Sequence, residues 1–145
     1  MSARGLTLAV AESLTGGALC ARIVDIPGAS AVLRGGICTY ATGLKGDLLD
    51  VDPDRLASTG PVDGLVAQQM AQGVRKLMDA DIGLATTGVA GPGPADGNPA
   101  GTVHIACAHP GGIARELLRL SGGRSMVRRG AVDAALHLLA AVLDQ

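Results

Sequence analysis

The hydrophobic positions of the chain form short continuous runs that alternate with stretches of helical spacing. Leu6–Ala11 is an apolar run bounded by Gly5 and a polar turn, and its length favours a buried strand over a helix. Thr15–Val24 has apolar side chains at helical spacing and stops before the Pro27-Gly28 turn. The first thirty residues therefore predict a strand followed by a helix.

The rest of the chain continues this alternation. Asp63 is a suitable N-cap for the clearest helix, in which apolar residues recur every three to four positions. The other predicted strands are Gly36–Tyr40 and Asp81–Thr87, and the other predicted helices are Thr42–Leu49, closed by Asp52-Pro53, and Ser125–Leu143. We also expect a loop at Gly88–Ala100 and a hairpin of Thr102–Ala108 and Ile113–Leu120 with a four-residue turn. The order β-α-β-α-α-β-β-β-α predicts an α/β fold with helices on both faces of a mixed sheet. We expect this sheet to be mostly parallel, with one antiparallel hairpin.

Composition narrows this picture to one globular domain, residues 1–145. Apolar residues make up 48% and charged residues 17%, which excludes a disordered chain. With one Tyr and no Phe or Trp, the core has to consist of small branched side chains in closely packed layers. A net charge of −1 argues against nucleic-acid partners, and no apolar stretch is long enough for a membrane span or signal peptide. We therefore expect a cytoplasmic protein.

The cysteine and histidine pattern predicts no metal site. Cys20, Cys38 and Cys107 are odd in number, lie in apolar stretches and have no CxxC spacing, which is typical of buried free thiols in a reducing compartment. The three His residues form no ligand pattern. We expect neither a metal nor another cofactor.

Candidate chemistry lies in the loops that follow the predicted strands, because the ligand crevice of such sheets lies at the carboxyl ends of parallel strands. Glu12–Gly17 follows the first strand, and its backbone N–H groups at a helix N-terminus either bind an anion or simply cap the helix. Thr86–Pro94 follows the third strand, and its length favours a ligand loop over a plain connection.

A serine–lysine pair is the candidate for nucleophilic chemistry. Ser30 follows a Pro-Gly turn and is either a helix cap or a nucleophile. The histidines lie too late in the chain to form a Ser-His-Asp triad, but Lys45 can act as the base if burial lowers its pKa. Tyr40, the one aromatic residue, has a hydroxyl that can relay a proton. The residues alone leave open whether Ser30, Tyr40 and Lys45 meet in space.

A cluster of basic residues lies near the start of the last predicted helix. Arg124, Arg128 and Arg129 oppose the helix dipole there, so they either bind an anionic group or form a solvated face.

Taken together, these segments resemble the C-terminal domain of the competence/damage-inducible CinA proteins, the family of the nicotinamide mononucleotide deamidases. The matching stretches are Ala11–Gly17, Gly28–Ser30, Thr39-Tyr40 with Lys45, Gly60–Val62, Thr87–Pro92, Pro99–Val103, and Gly123-Arg124 with Val127-Arg128. They follow the family's order and cover nearly the whole chain.

The resemblance implies a three-layer α/β/α sandwich and an amidohydrolase that converts nicotinamide mononucleotide to nicotinate mononucleotide and ammonia. It implies Ser30 as nucleophile and Lys45 as base, with Tyr40 close by. The implied substrate-binding residues are Ser13, Thr15, Gly16, Thr87, Gly88 and Arg124, with Arg124 suited to the phosphate. Two alternatives stay open: a non-catalytic module that binds a nucleotide or a protein, and an amidase for another small carboxamide.

Three features depart from the family pattern. The helix that usually precedes the first strand is missing or very short, so we expect one sheet face to be less covered and a second copy to cover it in a homodimer. Asp63 stands where Ser is common, and both residues cap helices. The larger amino-terminal domain of full-length CinA proteins is not in this sequence, and we expect its metal-dependent activity to be absent as well.

Overall fold

A mixed five-stranded sheet forms the centre of the molecule in the computed structural model, which describes residues 1–144. Its spatial order is β2-β1-β3-β4-β5. The strands are β1 Leu8–Glu12, β2 Leu33–Cys38, β3 Ile82–Gly88, β4 Thr102–His109 and β5 Gly112–Arg119. β1 pairs in parallel with β2 and β3, whereas β3–β4 and β4–β5 are antiparallel. The predicted mixed sheet is confirmed. It is not mostly parallel, because β4 pairs antiparallel with β3 as well as with β5, which gives two parallel and two antiparallel strand pairs.

Within residues 1–144, five α-helices lie on the two faces of this sheet. They are α1 Ala18–Val24, α2 Thr42–Leu49, α3 Pro53–Thr59, α4 Gly64–Leu77 and α5 Arg124–Leu143. One hydrophobic cluster joins the sheet to α1 and α5, and a second joins the other face to α2 and α4. The three-layer α/β/α sandwich is therefore confirmed.

The two faces of the sheet carry side chains of different size. The face under α1 and α5 contributes residues such as Val10, Leu84 and Ile105, whereas the face under α4 contributes mainly alanine. A Cβ at Gly83 would lie 2.0 Å from a backbone oxygen of α4, so α4 lies almost directly on the strands. Close layers of small residues thus replace the aromatic side chains that this core lacks.

Two local elements differ from the sequence prediction. Asp52-Pro53 was expected to end a helix, but it begins α3: the Asp52 carboxylate accepts from the Asp54 N–H, and Pro53 occupies the first turn, where no N–H is needed. The hairpin turn has two residues rather than four, because His109 pairs directly with Gly112. Both predictions failed for the same reason: Pro and Gly indicate that a helix or strand is interrupted, but not at which residue the neighbouring helix or strand begins or ends.

Residues before β1 form only one short 3₁₀ turn, Ser2–Arg4. Arg4 donates a hydrogen bond to the Leu143 carbonyl at the end of α5, and Met1 and Leu6 pack against the α1–α5 core. This turn therefore fastens the start of the chain to the last helix. The homodimer that would cover this face stays a prediction.

Candidate active site

A cleft of about 380 Å³ opens at the carboxyl ends of the three parallel strands. It receives residues from the loops after β1, β2 and β3 and one side chain from α5. Its lining comprises Ser13, Leu14, Tyr40, Thr42, Pro61, Val62, Thr87–Asp96 and Arg124. The cleft thus lies at the sheet edge where such folds bind their ligands.

Ser13 lies at the floor of this cleft, and the buried side chain of Lys45 lies behind it and is hydrogen-bonded to it. Lys45 Nζ donates to Ser13 Oγ at 3.1 Å and to the Thr39 carbonyl oxygen at 2.6 Å. Ser13 directly follows β1, and its N–H donates to the carbonyl oxygen of Thr86 at the end of β3. The serine hydroxyl is therefore held by the sheet itself, with the lysine amine directly beside it.

Burial changes the acid–base behaviour of Lys45. Its side chain is fully buried, with 0% of the residue exposed. Loss of hydration disfavours the ammonium form and lowers the pKa of Lys45 from 10.5 to about 8, although the negative charge of Asp96 partly opposes this effect. A large fraction of Lys45 is therefore neutral at mildly alkaline pH, and a neutral amine can accept a proton from a hydroxyl.

Ser30 does not meet Lys45, and the predicted Ser30–Lys45 pair is wrong. Ser30 lies in a short 3₁₀ turn, Ala29–Ala31, before β2, whereas Lys45 reaches the backbone just after β2. The six residues of that strand span about 20 Å. Ser30 lines a separate, largely apolar groove with residues such as Ile26 and Leu33. Ser13 occupies the place that the sequence analysis gave to Ser30.

Tyr40 and Arg124 form one wall of the cleft. Arg124 donates to the Tyr40 hydroxyl at 3.2 Å and to the Gly91 carbonyl at 2.8 Å. Lys45 is near the Tyr40 backbone oxygen, at 3.5 Å, rather than its phenol. The phenol is therefore directed toward the arginine, and no direct Tyr40–Lys45 proton relay exists among the described residues.

Thr15 and Gly16, two of the predicted substrate contacts, are not part of the cleft lining. Thr15 is fully buried, and its hydroxyl shares a 2.8 Å hydrogen bond with the Thr86 hydroxyl. Gly16 has a φ of 58°, in the left-handed region that glycine readily adopts, and its N–H donates to the Ser13 carbonyl. Both residues shape the turn that holds Ser13.

Glu12 belongs to the predicted anion loop but had no predicted role, and its own carboxylate fills the anion site expected at the start of α1. Its buried carboxylate accepts hydrogen bonds from the backbone N–H groups of Gly17, Leu19 and Cys20 at 2.8 to 3.1 Å. The positive end of the helix therefore binds the chain's own carboxylate. These three N–H groups are therefore not free to bind an external anion.

The other two arginines of α5 have different surroundings. Arg128 is half-buried and donates to the carbonyl oxygens of Leu14 and Thr15, so it holds the serine turn rather than a ligand. Arg129 is exposed on the same helix. Of the three arginines, only Arg124 lines the cleft.

Thr87 and Gly88 lie in the cleft wall, and their substrate-binding role stays a prediction. The Thr87 hydroxyl donates to the Pro61 carbonyl at 2.8 Å, which joins the end of β3 to the loop before α4. A Cβ at Gly88 would lie 2.6 Å from the Thr102 carbonyl oxygen, so only glycine fits there.

The loop after β3 contains a tight turn that the sequence analysis missed. Ala95 and Asn98 exchange two backbone hydrogen bonds around Asp96 and Gly97, whose φ angles are 50° and 73°. Two successive positive φ values define a type I′ turn, for which Asp-Gly is a preferred sequence. That dipeptide was a usable signal, and it places the Asp96 carboxylate at the cleft.

Two further expectations concern metals and thiols. Within residues 1–144, no group of three or more His, Cys, Asp or Glu residues could hold a metal ion. Cys107 is buried, and burial raises the pKa of its thiol to about 12. The prediction that all three thiols are buried is wrong for Cys38, which is exposed, and Cys20 is half-buried.

No helix in the described part of the chain is long and apolar enough to cross a bilayer.

The chain is similar in sequence to longer bacterial proteins. It is 51% identical over 140 residues to a CinA-like protein of Frankia casuarinae, an alignment that covers 97% of this chain and 32% of that protein. It is 48% identical over 134 residues to a putative competence-damage inducible protein of Desulforamulus reducens, covering 92% and 33%. The chain thus spans about a third of the length of these relatives.

Solved structures match nearly the whole chain. The competence/damage inducible protein CihA of Agrobacterium tumefaciens superposes with a TM-score of 0.94 at 36% identity, covering 99% of this chain and 88% of that one. A CinA superfamily protein of Escherichia coli gives a TM-score of 0.92 at 34% identity, covering 96% and 81%. The family model for the CinA C-terminal domain matches residues 1–143, and the chain therefore belongs to the CinA C-terminal domain family.

Proposed function

We propose that this domain is an amidohydrolase that deamidates nicotinamide mononucleotide, with Ser13 as the nucleophile and Lys45 as the base. The observation that carries the proposal is the hydrogen bond between Lys45 Nζ and Ser13 Oγ at the floor of the cleft. Resemblance to the deamidase family suggests the substrate, whereas the geometry suggests the chemistry and replaces Ser30 with Ser13.

The first half-reaction forms an acyl-enzyme. Neutral Lys45 takes the hydroxyl proton of Ser13 while Oγ attacks the carboxamide carbon, which gives a tetrahedral intermediate. The Lys45 ammonium then donates this proton to the amide nitrogen, the C–N bond breaks, and ammonia leaves. The nicotinoyl group remains attached to Ser13 as an ester.

The second half-reaction reverses these proton movements. Lys45 takes a proton from a water molecule, whose oxygen attacks the ester carbon, and the ammonium returns the proton to Ser13 Oγ as that bond breaks. Nicotinate mononucleotide is released and the enzyme is restored. The Thr39 carbonyl supports both steps because its hydrogen bond keeps Nζ beside Ser13.

The turn after β1 offers a donor to the developing oxyanion. Within residues 1–144 no acceptor pairs with the backbone N–H of Leu14, the residue that follows the nucleophile. An N–H in this position stabilises the negative oxygen of tetrahedral intermediates in other hydrolases with a nucleophile on a strand-to-helix turn. Leu14 lines the cleft, which agrees with this role.

Arg124 is suited to the phosphate of the nucleotide. It lines the cleft, and two of its five N–H donors serve Tyr40 and Gly91. The remaining donors can hold a phosphate in the charge-assisted geometry that guanidinium groups favour. Tyr40, Thr87 and Gly88 would then contact the nucleoside part.

The proposal is tested by ammonia release from nicotinamide mononucleotide. Ser13→Ala and Lys45→Met should each lower kcat by a factor of about 10³ or more, because members of a coupled catalytic pair act as a unit. Ser30→Ala is the matched control and should keep the wild-type rate, since Ser30 lies at the other end of β2. Activity that survives Ser13→Ala would refute the assignment of the nucleophile, and a wild-type protein that releases no ammonia would refute the substrate.

A further inference from the structure

Only two charged side chains line the cleft within the described part of the chain, and they have opposite signs. Asp96 comes from the loop after β3, and Arg124 comes from α5. Arg124 contacts Tyr40 and Gly91, whereas Asp96 approaches Gly60, at which a Cβ would lie 3.3 Å from the Asp96 Cβ. The two charges are thus held by different contacts, and the cleft has an acidic and a basic part.

The position of Asp96 is built into the backbone. It is the first central residue of the type I′ turn, and the Asn98 side chain donates to its carbonyl oxygen at 2.9 Å. Asp tolerates positive φ better than most residues, so the turn accounts for an Asp or Asn here but not for a negative charge. The charge therefore calls for a separate explanation.

The Asp96 carboxylate has no cationic partner of its own. No salt bridge among residues 1–144 includes it, and its side chain is exposed at the cleft. Its field nevertheless reaches the floor of the cleft, because Asp96 raises the pKa of Lys45 against the effect of burial. A ligand that brings its amide to Ser13 therefore lies within the same field.

We propose that Asp96 selects substrates whose carboxamide-bearing ring is positively charged, while Arg124 holds the anionic end of the same molecule. This inference rests on the proposed function for the position of the amide at Ser13. A pyridinium ring with a phosphate on its ribose is a zwitterion with this charge order. A ring that lacks the positive charge loses the attraction of Asp96 and keeps every other contact.

The decisive comparison uses two ligands that differ in the charge of the ring. Nicotinamide mononucleotide has a cationic ring, and its reduced 1,4-dihydro form has a neutral ring with the same carboxamide, ribose and phosphate. Affinities are measured by calorimetry in the Ser13→Ala protein, where no acyl-enzyme can form. Asp96→Asn is added to this protein, because Asn-Gly is a preferred type I′ sequence and should keep the turn. Asp133→Asn removes the same charge from an exposed site on α5.

The expected result is charge-selective. Asp96→Asn should weaken binding of the cationic ligand about five-fold, as loss of one partly exposed charge pair implies, and change binding of the neutral ligand by less than about two-fold. Asp133→Asn should affect neither. Equal losses of affinity for both ligands would mean that Asp96 only shapes the turn. Unchanged affinity for both would mean that its charge does not contribute to binding. Either result overturns the inference.

Turnover is measured in parallel with Ser13 intact, so that the two proposals fail separately. If the protein releases no ammonia but prefers the cationic ring through Asp96, the deamidase proposal fails and the inference stands. If ammonia is released and the preference is absent, the inference fails and the deamidase stands. A protein that binds neither ligand overturns the inference as well.

Discussion

Ser13 Oγ lies 3.1 Å from Lys45 Nζ because two parallel strands end in register. Glu12 of β1 is paired with Cys38 of β2, and the next residues, Ser13 and Thr39, continue side by side, with the Thr39 N–H donating to the Glu12 carbonyl. Lys45 returns from α2 to the Thr39 carbonyl, which brings its amine to Ser13. Strand register therefore positions the candidate nucleophile against its base.

The rate of amide hydrolysis should rise with pH and level off above the pKa of Lys45. Only neutral Lys45 can accept the Ser13 proton, and burial places this pKa at about 8. Below pH 8, kcat/KM should fall about tenfold per pH unit as the ammonium form accumulates. The measurement is kcat/KM for nicotinamide mononucleotide between pH 7 and 9.5, where the substrate phosphate is fully ionised.

Asp96→Asn supplies an internal check on this profile. Asp96 raises the pKa of Lys45, so removal of its charge should move the rise in kcat/KM to lower pH. A profile that falls with increasing pH, or is flat over this range, would contradict a lysine base.

Lys45→Met should stabilise the fold while it abolishes activity. Because the folded-state pKa of Lys45 is lowered to about 8 from 10.5, the unfolded chain binds more protons between these values, and stability rises with pH in that window. Below pH 8 the full cost of burying the ammonium remains. Met has a similar shape without the charge, so at pH 7 the free energy of unfolding should increase by about 2 kcal/mol.

Urea denaturation at pH 7 and pH 10 measures this effect. The gain from Lys45→Met should be smaller at pH 10, because the wild-type lysine is then largely neutral in the folded protein. Lys76→Met, which removes an exposed lysine, is the control and should give no such pH-dependent gain. A Lys45→Met protein that is less stable at pH 7 would mean that the two short Nζ hydrogen bonds outweigh the cost of burying the charge.

Arg124→Ala should weaken substrate binding with little effect on the chemical step. Arg124 contacts Tyr40 and Gly91 rather than Ser13, and it is the one cationic side chain in the cleft lining within residues 1–144. Loss of a charge-assisted phosphate contact should raise KM about tenfold or more and leave kcat within a few-fold of wild type. Arg129→Ala removes an exposed arginine from the same helix and should leave both constants unchanged. Equal KM values for the two variants would exclude Arg124 from phosphate binding.

Hydrophobic patterning was sufficient to predict the layers of the fold. Continuous apolar runs such as Ile82–Ala85 are buried on both faces, and this pattern distinguishes strands from the helices with one apolar stripe, of which α4 is the clearest. The α3 helix was missed because Pro53 was taken as a stop. A proline fits either side of a helix boundary, and the choice depends on whether Asp52 turns its carboxylate toward the next N–H groups.

Only one member of the candidate Ser13–Lys45 pair could be predicted from the sequence. Lys45 could be identified because it is the one lysine near the second strand. Ser30, however, precedes that strand, so it lies at the amino ends of the parallel strands, whereas Lys45 reaches their carboxyl ends. Ser13 directly follows a buried strand, and the rule that ligands bind at carboxyl ends favoured it from sequence alone. The role of Glu12 could not be foreseen, because its three N–H partners come together only after α1 has formed.

Glu12→Gln should test how strongly the serine turn depends on this buried carboxylate. The Glu12 oxygens accept three backbone N–H bonds at the start of α1, whereas a glutamine amide has one oxygen acceptor and directs N–H donors at groups that are themselves donors. The free energy of unfolding should fall by about 2 to 3 kcal/mol, as expected for lost charge-assisted bonds in a buried site. Because Ser13 is the next residue, kcat should fall as well.

Urea denaturation and ammonia release measure the two effects, with Glu116→Gln on the exposed strand β5 as the control. A variant as stable as wild type would mean that water or the rearranged turn satisfies these N–H groups, and that Glu12 does not fix the position of the nucleophile.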